Sequence, residues 1–338
     1  MYEKLLRPSK VDRVAESEVH FFDFGPPRRQ GAPSFYMQSQ VHGNEVFGTL
    51  VVRELMERLS ALPSEAFLGA LRISPSANPF SYQNFLIAYE GMYDLLAGKN
   101  WNRIFDVSDV ISENMDAESL SAELARLAEA TNDCVKKLPL VLLAHSVGYS
   151  YVVDVHTPEF GMQHLYCDTL RPNTPTFGIN NVVESGGAKQ AFSFDDSNQF
   201  LADKLKWDCV SVTVELPSYS PATHKDVVKW ADAFAYELVR LGLVDGKYLA
   251  VDALPEKKPV LSTGVYDFIP DISGIVLHHF APCDTVEAGA PLVSVIPMRY
   301  DAKGAQTMYA RKRCFPVSMR RKGTVQAGQW VVRVLEEK

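Results

Sequence analysis

The apolar and polar positions of the first 243 residues predict strands that alternate with helices. Residues 15–25 and 34–41 alternate between apolar and polar side chains, as half-buried strands do. From Val46 to Leu59 the apolar residues recur at helical spacing, which predicts a helix. Further helices are predicted over Glu118–Val135 and Thr223–Leu241, a strand running into a proline-punctuated loop over 69–79, and strands over 138–144, 149–158 and 209–217. This alternation predicts an α/β domain.

The pattern changes after a segment rich in proline and lysine at 247–258. No long helical pattern follows, and short β-rich runs are separated by glycine and proline. The sequence TVEAGAPLVSVI at 285–296 matches TVQAGQWVVRVL at 324–335, and each copy has an Ala-Gly turn that leads into an alternating strand. Two such β-hairpin units can close on each other as a small barrel. The sequence therefore predicts a catalytic α/β domain over 1–250 and a duplicated β-barrel domain over 258–338, joined by the linker.

Composition narrows the classes of partner. The 338 residues carry a formal charge of −7, which argues against a nucleic acid or an anionic membrane as partner. The basic clusters at 311–313 and 320–322 are interpreted as solvated hairpin faces, and the apolar run at 138–144 is far shorter than the ~20 residues of a membrane span. No apolar leader is visible at residues 1–18. The five cysteines are scattered without a C-x-x-C pair, which favours reduced thiols and a cytoplasmic protein: Cys134, Cys167, Cys209, Cys283 and Cys314.

Two short segments carry residues that suit a metal ion. In HGNE at 42–45, His42 and Glu45 stand between a predicted strand and a predicted helix, although the same spacing is also typical of an ordinary helix cap. At the end of the strand over 149–158, Asp154 and His156 share one face because strand side chains alternate. Two histidines and one glutamate form the three-ligand set that leaves a catalytic zinc one open position, and Asp154 could brace His156.

A hydrolytic zinc site also needs a base and an anion-binding group. Glu215 ends an apolar strand, where it is either a general base or an exposed strand-end carboxylate. Asn102 and Arg103 lie between apolar residues in GKNWNRIF. A guanidinium can hold a substrate carboxylate or a developing oxyanion, and the alternative is a structural salt bridge.

Taken in order, these segments resemble the succinylglutamate desuccinylase/aspartoacylase family of the zinc carboxypeptidase superfamily. The matching pieces are HGNE (42–45), ANP (77–79), NRIF (102–105), DVHTP (154–158), VTVEL (212–216) and the β-rich region after 258. The resemblance implies a carboxypeptidase-like mixed β-sheet flanked by helices, followed by a small hammerhead-like β-barrel. It also implies one Zn²⁺ per chain, held by His42, Glu45 and His156.

By the same resemblance, Glu215 would act as general base and acid, and Asn102 and Arg103 would hold the substrate carboxylate or polarise the scissile carbonyl. The expected activity is hydrolysis of the amide bond of an N-acyl amino acid or a related small acylated amine. One departure concerns the arginine that related sequences carry shortly after Asn78-Pro79, because NPFSYQNFLIAYEGMYDLL contains none.

Three alternative functions follow from the sequence. A carboxypeptidase-type peptidase and a non-catalytic metal-binding interaction protein would both use the same residues. Ser146 in AHSVG approaches a serine-hydrolase elbow, but the following β-like run does not suit the helix that such an elbow requires. The expected partner is a small-molecule substrate, and a homo-oligomer is compatible with the sequence.

Overall fold

The computed structural model describes residues 6–10, 18–29, 31–88, 91–112, 114–158, 161–184, 193–217, 222–252, 254, 260–262, 265–281, 284–297, 304–319 and 323–337. Within these ranges, nine strands form one mixed sheet in the order β1-β2-β4-β3-β5-β8-β6-β7-β9. Pairing is parallel across β4, β3, β5 and β8 and antiparallel between β8 and β6. The strands are β1 (Leu6–Lys10), β2 (Glu18–Phe24), β3 (Ser34–Ser39), β4 (Ala70–Ser74), β5 (Tyr151–His156), β6 (His164–Cys167), β7 (Asn181–Glu184), β8 (Val210–Glu215) and β9 (Val260–Ser262).

Helices cover both faces of this sheet. The helices are α1 (Val46–Ala61), α2 (Pro79–Ala88), α3 (Ala117–Ala130), α4 (Cys134–Ser146), α5 (Phe194–Leu205) and α6 (His224–Arg240). Helices α1 and α6 share one apolar core with the sheet, and α3, α4 and α5 share a second core on its opposite face. The predicted mixed α/β architecture is thereby confirmed. Among the helices that the structure describes, none combines the length and apolarity that a bilayer span needs.

Most predicted elements are found, and the errors lie between residues 118 and 144. The predicted helix over Glu118–Val135 is two helices, since α3 ends at Ala130 and α4 begins at Cys134. The predicted strand over 138–144 is wrong, because this run belongs to α4. The Asp133 side chain accepts the Val135 N–H at 3.0 Å and caps α4. A short run of apolar residues has the same pattern in a buried helix and in a buried strand, so periodicity alone does not distinguish the two.

The other boundaries follow local chemistry. Residues 18–24 of the predicted strand over 15–25 form β2, and residues 15–17 lie outside the described residues. Helix α2 occupies the end of the predicted loop over 69–79 and the residues after it; Asn78 caps it by accepting the Ser81 N–H at 3.0 Å. At α6, Thr223 and Asp226 form a capping box, which fixes the predicted start of that helix.

The chain after residue 264 forms two small antiparallel sheets around one apolar core. One sheet has the order β10-β16-β14 and the other β13-β12-β11-β15. Their strands are β10 (Val265–Phe268), β11 (Gly274–His278), β12 (Pro291–Pro297), β13 (Gln306–Tyr309), β14 (Cys314–Met319), β15 (Thr324–Val325) and β16 (Val332–Glu336). Closure of these sheets into a hammerhead-like barrel and the domain boundaries at 250 and 258 stay predictions.

The two copies of the repeated sequence occupy corresponding places in these sheets. Gly289 and Gly328 both have positive φ, at 81° and 82°, so the Ala-Gly turn has the same conformation in each copy. Val286 of the first copy bridges to Cys314 at the start of β14, and Val325 of the second pairs with Gly274 at the start of β11. The start of each copy therefore pairs with a strand that precedes the other copy: Val286 with β14, and Val325 with β11.

Candidate metal centre and active site

His42 and Glu45 lie in the turn between β3 and α1, where Gln40 reverses the chain with φ of 63°. The helix-cap alternative is not what the structure shows, because the Glu45 side chain makes no capping hydrogen bond to α1. It extends away from the helix, with Oε1 2.9 Å from His42 Nδ1 and Oε2 2.8 Å from His156 Nδ1. Oε2 also accepts the backbone N–H of Thr157 at 3.0 Å. The carboxylate of Glu45 is thus fixed between two imidazoles.

His156 reaches the same place from the carboxyl end of β5. Along this strand Val152, Asp154 and His156 point to one face; Val152 packs in the core under α3, α4 and α5, and the two polar residues lie beyond it. One donor atom from each of His42, Glu45 and His156 lies within 4.8 Å of the others, and all three side chains are buried. Two segments more than 100 residues apart in sequence therefore supply one set of donors of the type that zinc binds.

Other buried groups orient the two imidazoles from outside. His42 Nε2 lies 3.0 Å from Asn100 Oδ1, and His156 Nε2 lies 2.8 Å from Asp154 Oδ2. Asp154 in turn accepts a hydrogen bond from Gln38 Nε2 at 3.2 Å. An oxygen acceptor faces each outer nitrogen, so that nitrogen can carry the proton while the inner nitrogen, which faces Glu45, presents its lone pair to a metal. This is the arrangement that a metal-ligating histidine requires.

The charges around these donors favour a cation. Burial alone would raise the pKa of Glu45, but the imidazoles of His156 and His42 lower it to about 2. Burial disfavours the charged form of His156, yet the carboxylates of Asp154 and Glu45 raise its pKa well above 6.5. Without a metal, the positive charge of protonated His156 offsets part of the charge of the two carboxylates, and a divalent cation can take over that role.

Replacing Asp154 by asparagine tests this outer contact. We expect Asp154→Asn to weaken zinc affinity about 10- to 100-fold, because His156 loses its charged acceptor while all three donors remain. Zinc affinity is measured by competition with a chromogenic chelator, and circular dichroism checks that the variant is folded. Asp203→Asn on α5, outside the cavity, serves as control. Equal zinc affinity of Asp154→Asn and wild type would show that Asp154 does not support the site.

Glu215 ends β8 beside the donor set, since the ladder pairs Glu215 with His156 on one side and with His164 on the other. Its Oε2 atom is shielded from solvent and has no hydrogen-bond partner among the described residues. Burial raises the pKa of Glu215 to about 8, with His156 opposing the rise and Glu45 adding to it. A buried carboxyl oxygen without a hydrogen-bond partner in the protein is available to bind a ligand or to take up a proton.

Asn102 and Arg103 come from a short 3₁₀ helix, Trp101–Arg103, which Asn100 caps by accepting the Asn102 N–H at 2.8 Å. The Asn102 amide is buried: its Oδ1 accepts the Phe194 N–H at 2.9 Å, and its Nδ2 lies 3.2 Å from His156 Nε2. Arg103 is exposed and donates to the Asn102 carbonyl oxygen at 2.5 Å. Asn102 therefore has contacts within the protein, whereas the Arg103 side chain is accessible to a ligand.

These groups line one cavity of about 530 Å³, a volume that suits a small molecule. His42, Glu45 and His156 form part of its lining, together with Glu215 and Arg103. Ser146 is not in this lining: it is the last residue of α4, is fully buried, and donates to Asn198 Oδ1 at 2.9 Å. Because Ser146 follows a helix and precedes a strand, the geometry of a serine-hydrolase elbow is absent there.

Residues 31–235 match the model of the succinylglutamate desuccinylase/aspartoacylase catalytic domain. This match covers more than half of the chain. The chain belongs to the succinylglutamate desuccinylase/aspartoacylase family. The family consists of hydrolases that remove acyl groups, so the chain is an enzyme of the amide-hydrolysing type. A search of curated proteins finds no match to the chain at the significance required.

Solved structures of similar proteins extend the likeness to the whole chain. A Shewanella frigidimarina protein assigned to the succinylglutamate desuccinylase/aspartoacylase group has a TM-score of 0.80 at 20% identity, covering 99% of this chain and 98% of its own. A family protein from Shewanella amazonensis has a TM-score of 0.76 at 18% identity, covering 98% of each chain. The product-bound ectoine utilization protein EutE (DoeB) from Ruegeria pomeroyi has a TM-score of 0.67 at 15% identity, covering 98% of this chain and 94% of its own. At these identities the likeness establishes the fold alone.

In this desuccinylase/aspartoacylase family member, the first arginine after Asn78-Pro79 is Arg103. Asn78 is fully buried and has a structural role, because its Nδ2 donates to the Val41 carbonyl oxygen at 3.0 Å and its Oδ1 caps α2. These bonds fix the loop that precedes His42. Asn78 therefore supports the site through the backbone.

Several residues of the cavity were not identified from the sequence of this family member. His164 and Tyr166 project from β6 on the same face as Glu215, which the alternation in HLYC could have indicated once the pairing with β8 was known. Asp195 on α5 also lines the cavity, and burial together with the charge of Asp196 raises its pKa to about 6. Arg333 on β16 lies some 290 residues from His42, so no local pattern could have placed it there.

Proposed function

We propose that this family member is a zinc-dependent deacylase that hydrolyses the amide bond of an N-acyl amino acid or a related small acylated amine. The observation that carries the proposal is the convergence of His42, Glu45 and His156 beside the shielded, unpartnered carboxyl oxygen of Glu215. A binding module would have no need for a base at that position. Family membership supports the choice of amide hydrolysis.

The donor set fits zinc better than calcium or magnesium. Two imidazoles and one carboxylate are typical zinc ligands, whereas the harder cations favour oxygen donors. In tetrahedral coordination the donor atoms of zinc lie roughly 3.3 Å apart. The two imidazole-to-carboxylate separations, 2.9 Å and 2.8 Å, would need only a small increase to reach that spacing. A zinc ion bound by these three residues would supply Lewis acidity and lower the pKa of a water ligand toward ~7.

Glu215 supplies the proton transfers of the proposed mechanism. Its carboxylate would accept a proton from the attacking water and return it to the nitrogen of the leaving amine. The absence of a hydrogen-bond partner on Oε2 leaves that oxygen available for both steps. Burial raises the pKa of Glu215 to about 8, which favours the protonated acid that forms between the two transfers, and the positive charge of a bound zinc would favour the carboxylate that accepts the first proton.

The roles of Asn102 and Arg103 divide according to their contacts. Arg103 lines the cavity with an exposed guanidinium, which would face the substrate carboxylate or the oxygen that becomes negative during attack. Asn102 would hold the start of α5 in place through the hydrogen bond that it accepts from Phe194, and its amide lies beside His156 and any bound substrate. Both residues belong to the 3₁₀ helix over 101–103.

A substrate panel tests the proposed function. Zinc-loaded protein is assayed against N-acyl amino acids, N-acetylated diamino acids and dipeptides that carry a free carboxyl end, before and after treatment with a chelator. We expect N-acyl amino acids to be hydrolysed at the highest kcat/KM, activity to disappear with the metal, and added zinc to restore it. Preferred hydrolysis of dipeptides would indicate a peptidase, and zinc bound without turnover of any compound would indicate a binding protein.

A further inference from the structure

Arg333 enters the cavity from the last strand of the small sheets. It lies on β16 and lines the same cavity as His42, His156 and Glu215. Its side chain is 28% exposed, so one part of the guanidinium is covered and another part is accessible. Among the described residues that line the cavity, the permanently charged cations are Arg103 and Arg333. These two arginines are therefore available to bind an anionic substrate at this site.

The guanidinium of Arg333 is held from two sides. Asp267 on β10 accepts from Nε at 2.7 Å and from Nη2 at 3.0 Å, which is a two-pronged ion pair within the small sheets. Tyr166 on β6 of the large sheet lies close enough for the charge of Arg333 to oppose the rise that burial causes in the pKa of its hydroxyl. The Trp330 ring lies beneath it, 5.4 Å from the guanidinium carbon. These partners fix the plane of the guanidinium and limit its rotation.

The hydrogen bonds of His164 fix the direction in which the Tyr166 hydroxyl donates. His164 Nδ1 lies 3.0 Å from the Met162 carbonyl oxygen, so this nitrogen donates, and Nε2 must accept from the Tyr166 hydroxyl 3.2 Å away. Burial lowers the pKa of His164 to about 4, so the imidazole is neutral near pH 7. The Tyr166 hydroxyl therefore directs its proton to His164, and its oxygen adds no positive charge beside Arg333.

Three donors of Arg333 remain after the ion pair with Asp267. A guanidinium has five N–H groups, and Asp267 takes one on Nε and one on Nη2. Arg333 is also close enough to Glu215 to lower the pKa of that carboxyl. Asp267 neutralises part of the charge, but the remaining N–H groups on Nη1 and Nη2 can together meet the two oxygens of a carboxylate.

We infer that Arg333 binds a carboxylate of the substrate in the cavity that it shares with His42, His156 and Glu215. This inference rests on the proposed function and deepens it. The substrate would be an acylated amine that carries a carboxylate on the part directed toward β16. Arg333 would thereby set specificity for anionic substrates.

Equilibrium binding to metal-free protein tests this role without turnover. The probe is glutarate, a small dicarboxylate, and the matched neutral compound is its diamide, glutaramide; both are titrated calorimetrically into wild type, Arg333→Gln, Arg333→Lys and Arg313→Gln. Arg313 is the control, because it lies in the same part of the chain with its own partners, Glu287 and Glu337, outside the cavity. We expect glutarate to bind about 10- to 100-fold more weakly to Arg333→Gln, and to an intermediate degree to Arg333→Lys, which keeps the charge without the fork.

The remaining results separate binding from a purely structural role. Under the proposal, Arg313→Gln binds glutarate like wild type, and the weak binding of glutaramide is the same for every variant. Glutarate affinity of Arg333→Gln within twofold of wild type would overturn the proposal, as would failure of wild type to bind glutarate. Equal weakening of glutarate and glutaramide, with a lower melting temperature, would show that Arg333 only joins the sheets. Because no turnover is involved, failure of the deacylase assay leaves this result interpretable.

Discussion

The variant Glu215→Gln is expected to bind one zinc per chain and to lose at least ~10³-fold in kcat. Glutamine has the volume of glutamate and can fill the same position beside His156, but it cannot accept and return a proton, a function that contributes about 10²–10⁴-fold in such reactions. Glu215 is not one of the three converging donors, so metal content should not change. The measurement combines zinc analysis by mass spectrometry with kcat for the best substrate of the panel.

Glu184→Gln is the matched control for this prediction. Glu184 also ends a strand of the large sheet, but its carboxylate accepts the Leu170 N–H at 2.8 Å and does not line the cavity. Glutamine keeps an acceptor oxygen for that bond, so activity should stay near that of wild type. If Glu215→Gln retained wild-type kcat with zinc bound, the proton transfers would have to be assigned to another group. Asp195, with a pKa of about 6 in the same cavity, would be the first residue to examine.

The largest effect on metal binding is expected from the histidines. His42→Ala and His156→Ala should each lower zinc affinity by at least ~10³-fold and abolish activity, because only two of the three protein ligands would remain. Zinc should raise the melting temperature of wild type, since a metal that binds the folded state stabilises it, and this rise should disappear in both variants. Thermal unfolding with and without zinc, together with chelator competition, provides the two measurements.

His224→Ala supplies the control for the histidine variants. His224 is exposed at the first residue of α6 and lies outside the cavity, so its loss should change neither zinc affinity nor the thermal shift. A zinc-dependent rise in melting temperature that persisted in His156→Ala would mean that zinc binds elsewhere on the chain. That result would contradict the site formed by His42, Glu45 and His156.

The sequence predicted that His42, Glu45 and His156 would converge, and the structure brings their donor atoms together. The spacing of His42 and Glu45 was ambiguous alone, and His156 at a strand end resolved it, because parallel strands present their carboxyl ends at one edge of a sheet. The structure brings these donors together and places Glu215 beside them, through the register of β5 and β8. The functional roles of Asn102, Arg103 and Glu215 stay predictions until the variants are measured.

What the sequence could not supply depends on long-range packing. The run over 138–144 was assigned as a strand because its side chains are apolar in every direction, whereas a helix buried on most sides has the same composition. Arg333 could be recognised as part of the cavity only after the small sheets had been placed against β6. Local periodicity contains no information about such an arrangement, in contrast to the caps at Asn78 and Thr223, which a few neighbouring residues specify.

Strand β16 is the central strand of its sheet, so a substitution there affects more than one neighbouring strand. This strand lies between β10 and β14, which do not pair with each other within the described part of the chain. A proline at Val334 would remove one backbone N–H from a strand that has a neighbour on each side, and it would shift the adjacent Arg333, whose guanidinium is paired with Asp267. A substitution on β16 would then weaken substrate binding through Arg333 while His42 and His156 stay in place. A loss of activity would in that case originate far along the chain from the metal donors.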